Sequence, residues 1–196
     1  EKMSKSRGNV VSPDDVIDRC GADAFRLYEM FMGPLEAVKP WSTHGIEGVD
    51  RFLQRLWRLG EMGHGTRGTG HGEQETQQDF SALERKRHET IKRVTEDVES
   101  LRLNTAIAAM MELLNVMYDT LGSRPTPPVP RPIEEAFRTL VLLVAPFAPH
   151  LAEELWQRLG HAESLAHEAW PSYDPAVLET AQILLIVQVN GKVRAK

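Results

Sequence analysis

Apolar residues recur at helical intervals along most of this chain, with short polar, glycine-rich or proline-rich breaks between the runs. From Gly45 to about Met62, Ile46, Val49, Phe52, Leu53, Leu56 and Trp57 share one face, which predicts a helix with Arg51, Arg55 and Arg58 on an opposite stripe. A longer helix is predicted over Phe80 to Leu101, with Leu83, Ile91, Val94, Val98 and Leu101 on its buried side. The next is expected to be capped by Asn104 and to run to Leu121, its Met110, Met111 and Met117 serving as packing beside Leu113, Leu114, Val116 and Tyr118. Pro132 opens another that reaches Ala145. After the kink Pro146-Phe147-Ala148-Pro149-His150, a last bundle helix spans Leu151 to Leu159 with Leu151, Leu155 and Trp156 facing inward.

The amino-terminal end carries two shorter helices. Ser12 reads as a cap, Pro13 as a first-turn residue, and Asp14 and Asp15 as carboxylates at the positive end of a helix that runs to about Cys20. Gly21 breaks it, and Ala22 to Met32 forms a mostly buried second helix stopped by Gly33-Pro34. Residues 34–44 are a connector. Gly63 to Gln78 lacks apolar residues and reads as a long flexible loop, and the prolines between 125 and 132 mark a stiff extended crossing. Past an ordered linker around Trp170-Pro171 and Tyr173-Asp174-Pro175, Ile183 to Val189 reads as a strand, Asn190-Gly191 as a hairpin turn, and Lys192 to Lys196 as the returning strand. The fold class expected is therefore mainly α: an antiparallel helical bundle with a polar loop at its amino end and a short carboxy-terminal β-hairpin. Three regions are expected, 1–44, 45–178 and 179–196.

Composition narrows the setting. The chain has 196 residues, 41% of them hydrophobic, enough for one substantial core and a small appendage. Its longest apolar stretch, Leu140 to Ala145, is too short to cross a bilayer, and no basic-then-apolar leader opens the chain, so a cytoplasmic protein without membrane attachment is expected. The single cysteine, Cys20, agrees with a reducing compartment. His64 and His71 sit on glycine-rich backbone without cysteine or carboxylate ligands at suitable spacing, so no metal site is expected.

The net charge of −5 excludes a surface built wholly for nucleic acid and leaves only local basic patches for it. Two stand out. One is the Arg51, Arg55 and Arg58 stripe. The other is Arg85, Lys86, Arg87, Lys92 and Arg93, early in a helix whose acids Glu96, Asp97 and Glu99 come late; that order opposes the macrodipole and points to a partner for the cations. Either set could instead be a solvated face.

The most specific chemistry lies at the start, in Lys2-Met3-Ser4-Lys5-Ser6 followed by Arg7-Gly8-Asn9. An ammonium on a flexible stem suits a phosphate oxygen whose charge grows during phosphoryl or nucleotidyl transfer. Small hydroxyls and Gly8 let such a loop approach a ligand closely. From composition alone, an ordinary solvated turn is the competing description.

The five-residue string resembles, at every position, the Lys-Met-Ser-Lys-Ser signature of the class I aminoacyl-tRNA synthetases. The resemblance implies that Lys2, Met3, Ser4, Lys5 and Ser6 bind ATP, and that Lys5, with Lys2 as a weaker partner, stabilises departing pyrophosphate as an amino-acid carboxylate attacks the α-phosphate. Gly21-Ala22-Asp23-Ala24-Phe25-Arg26-Leu27 and Arg51-Phe52-Leu53 are similar to the same family. Within it, four strings resemble the leucyl-tRNA synthetase family of bacterial and mitochondrial type. They are Thr95-Glu96-Asp97-Val98 with Leu103-Asn104-Thr105-Ala106-Ile107-Ala108, Pro146-Phe147-Ala148-Pro149-His150-Leu151-Ala152-Glu153-Glu154-Leu155-Trp156, and Val187-Gln188-Val189-Asn190-Gly191-Lys192-Val193-Arg194. What this implies is an enzyme that activates leucine with ATP and Mg2+ and charges tRNA(Leu). Its bundle would dock the tRNA through Arg51, Arg55, Arg58, Arg85, Lys86, Lys92 and Arg93, as a monomer. The motif stands at the edge of a chain that starts at Glu1, and the His-Ile-Gly-His motif and amino-acid pocket are missing, so a piece inactive by itself and retaining no cofactor is expected. The same region of a valyl, isoleucyl or methionyl enzyme, or a free-standing helical RNA- or protein-binding module, are the alternatives.

Overall fold

The computed structural model describes residues 2–63, 79–122, 129–179, 187–189 and 192–195. The helices follow the apolar periodicity closely: α1 (Pro13–Cys20), α2 (Ala22–Phe31), α3 (Thr43–Gly63), α4 (Ser81–Glu99), α5 (Leu103–Leu121), α6 (Arg131–Val144), α7 (Pro149–Arg158) and the short α8 (Pro175–Leu178). The protein is mainly helical. The expected glycine-rich loop with His64 and His71, the prolines 125–128 and the turn Asn190-Gly191 lie outside the described residues. Of the carboxy-terminal segment, β1 (Val187–Val189) and β2 (Lys192–Ala195) pair antiparallel, with Val189 opposite Lys192.

Helix α5 is the hub. Its Ala106, Ile107, Ala109, Met110, Leu113, Leu114 and Met117 are all buried, so it is apolar over most of its circumference and packs against α2, α4 and α6. The methionines are packing, as their spacing suggested. Two close approaches fix the angles around it. A Cβ on Gly60 of α3 would come within 2.6 Å of Leu155 on α7, and one on Gly45 within 2.7 Å of the Tyr28 ring on α2.

Helix ends differ from expectation in three places. Ser12 occupies the cap position of α1 but makes no side-chain cap bond; its carbonyl accepts from Val16 N–H at 3.3 Å. Asn104 is not a cap, because α5 starts one residue earlier, at Leu103, behind Arg102. The reason lies in the preceding turn, where Arg102 N–H donates to Asp97 O at 2.7 Å and Leu101 N–H to Val98 O at 3.1 Å. Those two bonds form a Schellman closure with Leu101 at φ 56° in the position usually held by glycine, so the chain turns immediately into α5. The linker after α7 also holds helical structure: Asp174 caps α8 by accepting Ala176 N–H at 2.9 Å.

That linker runs back along α4. Trp170 Nε1 donates to Thr95 Oγ1 at 2.8 Å, Asp174 N–H to His88 Nδ1 at 2.8 Å, and an Arg85 amino group to Leu178 O at 3.4 Å. No helix among the described residues is long and apolar enough to cross a membrane.

Candidate active-site loop and nucleic-acid interface

The Lys2–Ser6 segment is a loop leading into one 3-10 turn, Lys5–Arg7, closed by Gly8 at φ 64°. Gly8 N–H donates to Lys5 O at 3.2 Å, and this left-handed angle is one that glycine takes without a Cβ penalty. Asn9 clips the two arms of the loop together. Its Oδ1 accepts Ser4 N–H at 2.8 Å, and its amide nitrogen donates to Lys2 O at 3.4 Å. The Ser4 and Ser6 hydroxyls bond to each other at 2.8 Å. The backbone is thus held while the Lys2 and Lys5 side chains stand exposed, without a hydrogen-bond or ion-pair partner among the described residues.

Met3 anchors the loop to the fold, lining a cavity of about 150 Å³ with Val11, Val16, Phe25 and Trp41. Phe25 and Trp41 give that cavity aromatic walls; Trp41 in turn meets Tyr28 edge-on at 5.2 Å, and Tyr28 Oη accepts Ser42 N–H at 3.1 Å. Asn9, read from the sequence only as part of a longer string, is the residue that sequence reasoning undervalued here. Its signal is the Gly-Asn pair, since asparagine side chains readily bond to nearby backbone.

The basic residues divide by what they already touch. On α3, Arg51 is exposed and has no partner among the described residues. Arg55 donates to Asn115 Oδ1 at 2.6 Å and lies 4.7 Å over the Tyr118 ring, while Tyr118 Oη donates to Arg55 O at 2.8 Å. Burial pushes the Tyr118 phenol up from its ordinary value, against the opposing pull of Arg55 and Arg58. Arg58 donates from Nε to Gln54 O at 3.3 Å, leaving its amino groups without a hydrogen-bond partner among the described residues.

On α4 the cations are largely engaged within the protein. Lys86 meets Glu112 of α5 at 2.6 Å, and its hydrogen bond holds that carboxyl below the usual range. Arg93 lies 3.8 Å from both Asp97 and Glu112, Arg85 pairs with Glu89 at 3.0 Å, and the Lys92 ammonium stands 6.0 Å from the Tyr173 ring. Arg87 bonds Glu84, whose carboxyl is lowered chiefly by that bond, and His88 Nε2 lies 2.9 Å from the same carboxylate. Glu112, 26 positions from Lys86, supplies the counter-charge that the charge order within α4 had left to an external partner.

A second feature brings two separate strings together. Asp23 of α2 accepts Leu151 N–H at 2.7 Å and His150 N–H at 3.4 Å, and the His150 ring lies against it through Nδ1 at 2.8 Å. One turn along α2, Arg26 donates to Pro146 O at 3.2 Å. Acid and base on α2 thereby satisfy both sides of the α6–α7 corner. A hint stood in the sequence: α7 starts at Pro149 behind Ala148, which has no side chain able to cap, so its free N–H groups needed an acceptor from elsewhere.

Beside this corner a cleft of about 670 Å³ opens between the α1–α2 junction, α3 and α7, lined among others by Cys20, Asp50, Gln54, Arg58, His150 and Glu154. Among the described residues no group of three or more histidine, cysteine, aspartate or glutamate side chains could hold a metal ion.

Residues 81–196 match the family described as the anticodon-binding domain of tRNA ligase, and residues 1–39 match class I tRNA synthetases of the isoleucine, leucine, methionine and valine group. The chain is 50% identical over 194 residues to a leucine–tRNA ligase of Rhizobium johnstonii and 48% identical over 194 residues to one of Chlorobium chlorochromatii. These alignments cover 99% of the chain but 22% and 23% of the relatives, so it spans about a quarter of their length. Among solved structures it is similar to the Agrobacterium radiobacter K84 agnB2 LeuRS in a ternary complex with tRNA and LeuAMS. The TM-score is 0.78 at 34% identity, covering 99% of this chain and 25% of that one. By the match over residues 81–196, this chain belongs to the family of anticodon-binding domains of tRNA ligases.

Proposed function

We propose that this chain is the segment of a leucine–tRNA ligase that carries the ATP-facing loop and the tRNA-docking bundle. In this reading residues 1–44 end the catalytic region, 45–178 form the bundle, and 179–196 begin a further carboxy-terminal region through the hairpin. The whole enzyme joins leucine to ATP, releasing pyrophosphate, and transfers the leucyl group to tRNA(Leu).

The observation that carries the reading is the loop held by Asn9 with the Lys2 and Lys5 ammoniums exposed. A fixed backbone with free cations is suited to charge that grows late in a reaction, because the ammonium is in position before the pyrophosphate oxygens gain their negative charge. Lys5 is the principal residue and Lys2 its partner, with Met3, Ser4 and Ser6 completing the nucleotide contact. The described residues offer ammoniums and hydroxyls near the loop and no carboxylate cluster. In this reading ATP with Mg2+ is the cofactor of the whole enzyme, and the part of this chain is to meet its phosphates with ammonium and hydroxyl groups.

For the bundle, Arg51, Arg55, Arg58, Arg85, Lys86, Lys92 and Arg93 are the residues proposed to face RNA phosphates, which position a nucleic acid without reading its bases. Arg51 and Arg58 take the larger share, since their donors are the least engaged. Replacing Lys5 with alanine in the full-length enzyme tests the proposal. Leucine-dependent exchange of pyrophosphate into ATP is expected to fall by about a hundredfold, the usual cost of removing one transition-state donor, with KM for leucine little changed. An unchanged exchange rate refutes the role.

A further inference from the structure

We infer that Glu112 is an internal stand-in for RNA phosphate: it holds Lys86 and Arg93 at the seam between α4 and α5, and yields both cations to a phosphate of the docked RNA. The inference rests on the tRNA-docking reading above and adds to it an acidic residue that belongs to neither basic cluster.

The argument starts from how two cations come to share one anion. Lys86 and Arg93 stand two turns apart on α4, about 10 Å along its axis at a rise of about 1.5 Å per residue. Both side chains nevertheless converge on the Glu112 carboxylate of α5, the Lys86 ammonium on Oε2 at 2.6 Å and the Arg93 guanidinium 3.8 Å from Oε1. Two cations drawn from different turns onto the two oxygens of one carboxylate form an arrangement that the two anionic oxygens of a phosphate diester also satisfy. The carboxylate is ionised, because the hydrogen bond from Lys86 holds its pKa below the usual range. It is also within reach of a ligand, with 49% of the Glu112 side chain and 48% of Arg93 exposed. An ion pair this exposed adds little net stability, and the exchange replaces one anionic acceptor by another, so displacing Glu112 costs little.

The same face of α5 meets the other basic cluster. Asn115, one turn beyond Glu112, accepts Arg55 of α3 at 2.6 Å, and the charges of Arg55 and Arg58 both act on Tyr118. RNA lying on the α3 arginines is therefore about one turn of α5 away from the carboxylate that occupies Lys86 and Arg93. Four other acids lie around these cations. Glu89 pairs with Arg85 at 3.0 Å. Asp97 accepts Arg102 Nε at 2.8 Å and lies 3.8 Å from Arg93 Nε, but only 7% of its side chain is exposed, so no phosphate can take its place. It is a positioning residue, steadying Arg93 from the protein side while the Nη1 edge faces Glu112. Glu96, one turn from Arg93, and Asp119, two turns from Glu112, are exposed and hold no cation among the described residues. Glu112 alone of the five is both open to solvent and shared by two cations. A polyanion that reaches only α3 thus finds Lys86 and Arg93 occupied, and RNA docked across α5 gains them by displacing Glu112.

Binding of a tRNA(Leu) transcript to the full-length enzyme over a series of salt concentrations tests it. Glu112→Gln is expected to tighten binding severalfold, and Glu112→Ala, which keeps no acceptor for Lys86, to do the same. Lys86→Gln is expected to weaken binding and to lower the slope of log affinity against log salt by about one. In a protein carrying both Lys86→Gln and Arg93→Gln, the gain from Glu112→Gln is expected to vanish, because no cation is left to release. Asp119→Asn and Glu96→Gln remove the same charge from acids that hold no cation, and are expected to change affinity far less. A gain from Glu112→Gln that persists undiminished without the two cations, or that Asp119→Asn matches, is general repulsion and overturns the stand-in. If Arg51→Gln weakens binding while Glu112→Gln leaves it unchanged, the docking reading stands and the stand-in falls. If Arg51→Gln and the loss of both α4 cations all leave affinity unchanged, the docking reading fails and the stand-in with it.

Discussion

The Asp23 carboxylate on α2 accepts the backbone N–H of Leu151 on α7, 128 positions later in the chain, at 2.7 Å. It acts as the cap that α7 lacks in its own sequence, with Ala148 preceding Pro149. Replacing Asp23 with alanine leaves a partly buried donor without its acceptor and is expected to cost about 1–2 kcal/mol, the usual range for a lost cap. Denaturant titration of the protein should show an earlier midpoint, with a smaller shift for Asp23→Asn, which keeps an acceptor oxygen. Equal midpoints for Asp23→Ala and the unmodified protein would contradict the capping role.

Asn9 holds the amino-terminal loop through Ser4 N–H and Lys2 O. Asn9→Ala is expected to leave stability within about 0.5 kcal/mol, since the loop is at the surface. In the full-length enzyme of the proposed reading, the rate of leucine activation should fall by about tenfold, because the two ammoniums lose their fixed spacing. Paired measurements of pyrophosphate exchange and thermal unfolding separate the two effects. A variant that unfolds early but exchanges normally would show Asn9 to be structural.

Arg51 and Arg55 share a stripe yet differ in their partners. Arg51→Gln should weaken tRNA binding and reduce the slope of log affinity against log salt by about one, as expected for one lost phosphate contact. Arg55→Gln should reduce that slope by less and in addition cost about 1 kcal/mol of stability through the lost Asn115 bond and Tyr118 contact. Salt titrations and unfolding curves on both variants distinguish them, and identical behaviour of the two would erase the distinction.

Gly60 lies where α3 comes closest to α7, and a methyl there would sit 2.6 Å from Leu155 and 3.1 Å from Phe137. Gly60→Ala gains helix propensity, but overpacking of this kind commonly costs about 1–3 kcal/mol. Net destabilisation is therefore expected. Gly48, on the same helix with open space around its Cβ position, is the control, and Gly48→Ala should be neutral or stabilising.

His161 stacks on Trp156 at 3.7 Å, and Arg138 donates to its Nε2 at 2.6 Å. Desolvation first, and then the Arg138 charge, lower its pKa from the ordinary 6.5. The neutral ring is thus favoured by the fold: its contribution is complete above about pH 6.5 and is lost as the pH falls through the lowered folded value. Unfolding midpoints at pH 7.5 and pH 5 should differ by less in His161→Gln than in the unmodified protein. An equal difference in both would assign the acid sensitivity elsewhere.

The helices were legible because their causes are local. Apolar spacing over 45–62 and 80–101, Pro13 and Pro132 in first turns, and Gly21 at a helix end act within a few residues of themselves, and helices α1 to α7 fall within one or two positions of expectation. The start of α5 was misplaced because a non-glycine residue, Leu101, occupies the left-handed turn, and composition gives no warning of that. The composition of the amino-terminal loop is local in the same sense, since ammoniums, hydroxyls and glycine adjoin in sequence.

What the sequence by itself determined, then, is a helical chain with a phosphate-suited loop at one end and two candidate basic patches. What only the tertiary structure decided is which charges were spent within the protein. Lys86 finds Glu112 across 26 positions, Arg55 finds Asn115 across 60, and Asp23 reaches the first turn of α7 across 128. Helical periodicity fixes the face a side chain occupies, but the partner depends on how two helices pack, and that is set by the summed shape of the core. The His150 ring likewise finds Asp23, at 2.8 Å across 127 positions, only because packing brings α2 and α7 together.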